Sequence, residues 1–561
     1  MPPSRTHQLL GMMPQTLSRF LTSLSVTGVV VGMAFFCFSL TPSLLPRIPT
    51  IQGALSGVSF VCGYGLGFLI VSILTFLEIP LIKGAWKVRL GFAALSVASV
   101  MSILTLNRMS VWQNSIRTLM EMELVDSAYP FQVLGVAIVS ATILLLVVRG
   151  LRRLSLRVSA WVNKFLPQRL SLGMGALCVA LVVGALVDGL VVRNILSAMD
   201  EAFAEMDMVF DDGVDVPAEF SDAAMLIDWD DIGRNGKRFL TNGPDREDIE
   251  HLTDRPAKQP VRVYAGFNTG ADFEERAALA VSDLVRAGGF ERSVLIIATP
   301  TGTGWLDPAA IQPVAYLHQG DLSIVSMQYS YLPSWLTLLI DPDRPKAAAR
   351  ALFLAVYNHW TTLPEDTRPQ IYLFGLSLGA LGSENSTDLI ELISDPIDGA
   401  VWVGPPFASS TWANVTKNRE AGSPQWRPRY RDGSVIRFMT QDGFDPGGFA
   451  EWERIRVTYL QHPSDPMTFF STGMAFRKPA WLGKDRGRDI SPHFRWVPIV
   501  SFLQVGFDIP MATTVSQGYG HNFVASEYID AWISVTQPKG WNETDTETLK
   551  KAFENFTVSP L

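Results

Sequence analysis

IYLFGLSLGALG, residues 371–382, places Ser377 between Gly375 and Gly379, directly after the apolar run Ile371 to Phe374. A serine in G-x-S-x-G, between a strand and a small-residue segment able to open a helix, reads as a nucleophile on a sharp turn. The five-residue pattern arises about 0.2 times by chance in a chain this long. The elbow therefore decides the fold only if the surrounding sequence supplies strands, a base and an acid in the right order.

The chain has 561 residues, and its charge is split along its length. Residues 1–199 carry 15 Lys and Arg against 5 Asp and Glu, whereas residues 200–561 carry 31 against 49. The positive half is also the apolar half, and its basic residues sit between apolar runs. The other half would repel phosphate, so no nucleic-acid partner is expected.

Five apolar runs in the first half approach the roughly 20 residues a bilayer-spanning helix needs. They lie at Phe20 to Leu40, Ile51 to Phe76, Leu90 to Leu106, Phe131 to Val148 and Leu172 to Val192. The third is the shortest. No small-residue cleavage site follows the first run, so it reads as a span and not a removed signal.

Lys and Arg concentrate in the N-terminal tail (Arg5, Arg19), around Lys83 to Arg89, and in 149–169. The positive-inside rule then puts the N-terminus in the cytoplasm of a multi-pass cell-membrane protein. Five spans leave the acidic half outside the cytoplasm. The segment RGLRRLSLRVSAWVNKFLPQR, 149–169, reads as a topology anchor or an amphipathic helix on the inner surface. Asp188 in the last run is expected to pair with Arg193.

All three cysteines, Cys37, Cys62 and Cys178, fall in apolar runs. The acidic half therefore has no disulfide framework, thiol nucleophile or cysteine metal site. No H-E-x-x-H or similar cluster occurs and G-x-x-x-x-G-K is absent, so neither metal nor other cofactor is expected.

Residues 200–259 are acidic and weakly periodic, and read as a connector and domain entry. From residue 260 onward, short apolar runs alternate with helix-period segments. VRVYAG, SVLIIATP, LSIVSMQYSY, IYLFG, GAVWVGPP, VIRFMTQ and RIRVTYLQ read as strands; DFEERAALAVSDLVRAGG, 272–289, and RPKAAARALFLAVYNHWTTLP, 344–364, read as helices. This alternation predicts a mostly parallel, doubly wound sheet over 260–561, with ligand chemistry at the strands' carboxyl ends.

Serine is a weak nucleophile unless a histidine takes its proton and an acid orients that histidine. Three histidines follow Ser377: His462, His493 and His521. His521, in the glycine-rich SQGYGHNF before a last amphipathic helix, is the expected base. His462, at a strand end beside a proline, and His493, in a polar loop, have plainer surroundings. Asp465, in the turn HPSDP after RIRVTYLQ, is the expected acid, with Asp442 after VIRFMTQ as runner-up. The oxyanion donors are expected at the backbone N–H of Leu378 and, in the loop ATPTGTGW, at Thr301 or Gly302.

SLTPSLLPR, TPTGTGW, QYSYLPSW, GLSLG, DGAVWVGPPF and GHNF together resemble the bacterial membrane-embedded α/β-hydrolase family with a multi-span N-terminal domain. The resemblance covers nearly the whole chain. It implies an all-α transmembrane domain over 1–199 and an α/β-hydrolase domain over 260–561, with Ser377 at the nucleophile position.

The activity expected is that of a serine esterase acting on a lipid or acyl ester beside the bilayer. A cell-envelope acyltransferase with the same triad, and a non-catalytic lipid transport or sensing protein, are the alternatives. The stretch QYSYLPSWLTLLIDP, 328–342, lines an acyl pocket, lies on the membrane, or simply packs the core. The residues do not specify an oligomeric state.

Overall fold

The computed structural model describes residues 23–165, 167–188, 198–200, 202–203, 226–387 and 394–556. The chain divides into two compact units. One comprises the residues up to Val182 with Thr472–Pro479 and Ile490–Met511; the other comprises Val183–Ser471, Ala480–Asp489 and Ala512–Leu561. The division is not a single cut near residue 199. Two short segments from between the expected acid and base are counted with the helical unit.

In the helical unit, Pro49–Phe76, Gly84–Met120 and Pro130–Val162 are each long and apolar enough to cross a membrane. The run whose length was least persuasive, Leu90 to Leu106, lies inside the second of these. Large apolar side chains such as Phe76, Phe92 and Phe131 face outward, as a hydrocarbon solvent requires and water does not. The arginine-rich 149–162 continues the helix Pro130–Val162 as one element.

The outer two of the five expected spans are shorter. The first is the helix Val26–Ser39, 14 residues or about 21 Å, against a hydrocarbon core of about 30 Å. The last is Gln168–Asp188, whose apolar stretch is Gly173–Gly184. Residues 1–22 and 189–197, which flank these two, lie outside the described residues, as do the side chain of Asp188 and its expected partner Arg193.

Glycines four apart let these helices pack closely. A Cβ on Gly32 would stand 2.8 Å from the Phe60 carbonyl oxygen, and one on Gly63 would stand 2.7 Å from that of Val31. Gly57 lies similarly close to Ala137 and Ser140. Small residues at this spacing are the usual means by which apolar helices approach without a hydrophobic driving force between them.

The unit also buries a polar knot. The Arg47 and Asp508 side chains are fully inaccessible, with Arg47 Nε 2.8 Å from Asp508 Oδ1. Asp508 Oδ2 accepts from the Ser43 hydroxyl and the amides of Leu44 and Leu45. Arg47 further donates to Gln52, Ser43 and the Gln504 carbonyl. Within this unit, Arg47 thus fastens the helix Val500–Asp508 to the turn SLTPSLLPR.

The other unit is an eight-stranded sheet in the order β1-β3-β2-β4-β5-β8-β6-β7. Its strands are β1 Val261–Ala265, β2 Val294–Thr299, β3 Leu322–Met327, β4 Gln370–Leu376, β5 Gly399–Val403, β6 Ile436–Thr440, β7 Gly443–Phe444 and β8 Arg456–Leu460. Every pairing is parallel except β6 with β7.

β2 and β3 are buried along their whole length, mostly with apolar side chains, as strands covered by helices on either side must be. Phe273–Arg286, Asp343–Trp360 and Ala525–Thr536 are among the covering helices. All seven expected strands are present. The two-residue β7, a brief return after the turn at Gln441 and Asp442, carries too little pattern to be read from sequence.

The stretch read as connector and domain entry is partly folded onto this sheet. The helix Arg234–Thr241 packs on β1, where a Cβ on Gly236 would lie 2.4 Å from the Tyr264 ring. Asp200 is buried and accepts hydrogen bonds from the Ser330 hydroxyl and the Tyr331 amide while pairing with Arg344.

Candidate active site

Ser377 follows β4 at the centre of the sheet with φ +58° and ψ −122°. A non-glycine residue held there is strained, and such strain persists only where its surroundings enforce it. The enforcement is visible. Ser377 N–H donates to the Val403 carbonyl at the end of β5, and its own carbonyl accepts from Leu381 in the following helix Leu378–Glu384.

The flanking glycines permit the turn. A Cβ on Gly375 would stand 2.3 Å from the Gly379 backbone, and one on Gly379 would stand 2.1 Å from the Thr299 carbonyl oxygen. The G-x-S-x-G spacing is thus a steric requirement of this strand, this helix and the end of β2.

His521 and Asp465 are brought together. His521 Nδ1 lies 2.7 Å from Asp465 Oδ2, and both side chains are almost fully buried. Asp465 caps the short helix Pro466–Phe469, accepting from the Met467 amide through Oδ1 and the Thr468 hydroxyl through Oδ2. These donors fix the carboxylate, which in turn fixes the imidazole with Nδ1–H donating and Nε2 turned away.

Neighbouring strand ends link this pair to the serine. Gly404, one residue past the Val403 that binds Ser377 N–H, donates to Leu460 at the end of β8. A Cβ on Gly404, at φ +50°, would lie only 2.4 Å from His521 Cε1. Ser377, His521 and Asp465 therefore stand over β4, β5 and β8, which are adjacent in the sheet.

The Ser377 Oγ and the His521 Nε2 are both buried and find no hydrogen-bond partner. Buried polar atoms are almost always satisfied. Ser377 Oγ and His521 Nε2 are exceptions, a hydroxyl and a ring nitrogen over adjacent strand ends.

Asp442 is not part of this arrangement. Its carboxylate pairs with Arg488 at 2.8 Å, and both side chains are well exposed. His493 is likewise elsewhere, its amide bonded to the Ser491 hydroxyl in the helical unit.

Leu378 opens its helix at the first position, where the N–H has no intrahelical acceptor. The other two expected oxyanion donors are engaged. Thr301 N–H donates to the Trp305 carbonyl, and Gly302 N–H donates to the Ser334 hydroxyl. Either amide can serve as a second donor only when its present bond opens.

Two buried groups near the elbow escaped the sequence reading. Glu384 ends the helix that Ser377 begins, and burial pushes its carboxyl up to about 7 despite hydrogen bonds from Tyr459, Trp412 and Thr411. His462, passed over for its plain surroundings, is fully buried in contact with Gly520 and Glu527. Nothing local in the sequence marks either group, because both owe their environment to residues far along the chain.

Comparison with known families matches residues 261–549 to one described as an alpha/beta-hydrolase family, and residues 40–244 to one described as an alpha/beta-hydrolase family N-terminus. Neither the curated proteins nor the solved structures gave a match. The matched regions take in the sheet and its candidate triad on one side and the apolar helices on the other, and the chain belongs to the alpha/beta-hydrolase family.

Proposed function

We propose that this protein is a membrane-anchored serine esterase that cleaves a lipid or acyl ester through an acyl-enzyme on Ser377. The observation that carries the reading is the pair of buried, unpartnered atoms, Ser377 Oγ and His521 Nε2, with Nδ1 of the same imidazole tied to Asp465.

In this reading His521 Nε2 takes the hydroxyl proton as Ser377 Oγ bonds to the ester carbonyl carbon. The carbonyl oxygen becomes an oxyanion facing the Leu378 N–H. The imidazolium, stabilised by the Asp465 carboxylate, then gives its proton to the departing alcohol as the ester C–O bond breaks. Water, deprotonated by the same nitrogen, attacks the acyl-enzyme and restores the serine.

Three long apolar helices in the same chain support a membrane anchor, and the distribution of Lys and Arg supports a site outside the cytoplasm. A lipid-linked ester is the substrate class that fits a hydrolase held at a bilayer.

The test is labelling of the full-length protein in membranes by a fluorophosphonate, offered to intact cells in membrane-impermeant form and to lysed cells. Labelling of wild type that disappears in Ser377→Ala supports an activated serine, and labelling of intact cells supports the external site. A folded wild-type protein that stays unlabelled in lysed cells rules the esterase out.

A further inference from the structure

Directly behind the proposed base lies a second histidine whose hydrogen bonds are unlike those of a neutral imidazole. His462 Nδ1 is 3.0 Å from the Gly520 carbonyl oxygen, and His462 Nε2 is 3.0 Å from Glu527 Oε1. A carbonyl oxygen can only accept. The Glu527 carboxyl already accepts from the Val524 amide through Oε2.

A neutral imidazole has one donor and one acceptor nitrogen. Facing a carbonyl and a carboxylate, it would leave one contact between two lone pairs. The arrangement is satisfied when both nitrogens carry protons and Glu527 is ionised. We propose that His462 is a positioning residue of this site: an imidazolium, paired with Glu527, that clamps the Gly520 carbonyl and thereby sets His521 against Asp465. This rests on the esterase reading for its function, though the ion pair itself does not.

What surrounds His462 favours the charge. Its side chain is fully inaccessible, and burial alone would push its pKa down; the Glu527 carboxylate, with Asp489 and Asp465 behind it, outweighs that and raises it. Asp489 is itself held by the Ser464 amide. A buried ion pair is tolerable only when its remaining donors and acceptors are satisfied, and here both ring N–H groups and both Glu527 oxygens are.

The clamp acts on the backbone immediately before His521. Gly520 is gripped from both sides, its carbonyl by His462 and its amide by the Ser464 hydroxyl at 3.0 Å. His521 N–H donates to the Ala512 carbonyl. Phe523 packs on both imidazoles, with ring centroids 4.3 Å from His462 and 5.5 Å from His521. Residues 462–465 thus supply both the clamp and the acid, so the two contacts that orient His521 come from one turn.

The sign of the pH dependence follows. A histidine whose folded pKa is raised contributes fully below its unfolded value near 6.5, and the contribution is lost only as pH rises through the higher folded value. Replacing Glu527 by glutamine removes the main partner while keeping its shape. Burial then dominates, and the proton leaves at a lower pH than in wild type.

The experiment measures the rate of fluorophosphonate labelling of the full-length protein from pH 4.5 to pH 8.5 for wild type, Glu527→Gln and Glu527→Asp, with thermal midpoints recorded alongside. The expected result is a Glu527→Gln to wild-type rate ratio that falls at least tenfold as pH rises from 4.5 to 8.5, while the Glu527→Asp ratio stays flat. A flat ratio for Glu527→Gln, with wild type labelling normally, overturns the imidazolium clamp and leaves the esterase standing. An unlabelled but folded wild type removes the esterase and the clamp's role together. Should Glu527→Gln not fold, His462→Gln, which offers Gly520 one N–H without charge, takes its place: a rate within threefold of wild type at every pH overturns the proposal.

Discussion

In the helical unit, the Asp508 carboxylate is met by Arg47, the Ser43 hydroxyl and two backbone amides. In the sheet unit, the Asp465 carboxylate is met by His521, the Thr468 hydroxyl and the Met467 amide. The two centres are equally buried and nearly alike in composition. They differ at the far end. Arg47 sends its remaining donors to Gln52, Ser43 and Gln504, whereas His521 Nε2 meets nothing and the hydroxyl of Ser377 is also unmet. A closed network holds chain segments together; in the esterase reading proposed above, the open one leaves its last atom for the substrate.

The largest effect that can break this contrast is on chemistry. His521→Ala and Asp465→Asn should each lower the fluorophosphonate labelling rate about 10⁴-fold, with thermal midpoints little changed in detergent. A loss of folding in place of a loss of rate would show the triad to be scaffold, like the Arg47 knot.

The converse holds in the helical unit. Arg47→Met leaves the buried Asp508 charge without its cation, at a cost of about 3–5 kcal/mol. The full-length protein should then lose its monodisperse peak on size-exclusion chromatography or melt well below wild type. Arg47→Met with Asp508→Leu should recover much of that loss, because a fully apolar replacement leaves no charge stranded. Failure of the double variant to recover would mean that the knot contributes something besides charge balance.

The same contrast explains what the sequence revealed. The strands of the sheet were legible because each is a short apolar run between turn residues, and Ser377 because its glycines are locally required. Asp465 and His521 were legible through position, a turn after one strand and a glycine loop before a last helix. Asp508, Glu384 and His462 were not, since the local sequence around a polar residue looks the same whether or not a distant partner meets it. In the sequence Arg47 is a lone charge in SLTPSLLPR, and only the chain's return at Val500–Asp508 accounts for it. The outer two expected spans run into residues outside those described, and the helices Val26–Ser39 and Gln168–Asp188 cover only part of each apolar run.

A smaller perturbation sharpens the comparison within the sheet unit. Gly404 adopts φ +50°, and its missing side chain makes room for the imidazole. Gly404→Ala should push His521 from its seat by about an ångström, and misplacement on that scale costs about 10²-fold in rate. The labelling rate should fall accordingly, with a stability loss of about 1 kcal/mol for the strained alanine. A rate within twofold of wild type would mean that the imidazole can shift without consequence, and that its seat is not what sets reactivity.

The smallest effect concerns the oxyanion. Gly302 N–H is a candidate donor, yet it is spent on the Ser334 hydroxyl, at the start of the short helix Ser334–Ile340, whose Trp335 and Leu339 are exposed. A neutral hydrogen bond contributes about 0.5–1.5 kcal/mol net, so Ser334→Ala should raise the labelling rate by up to about tenfold if Gly302 serves the oxyanion. An unchanged rate would leave Leu378 without this partner. A decrease would mean that Ser334 holds the loop in its working shape, in which case the bond belongs with the closed networks and the open set shrinks to Ser377, His521 and the amide of Leu378.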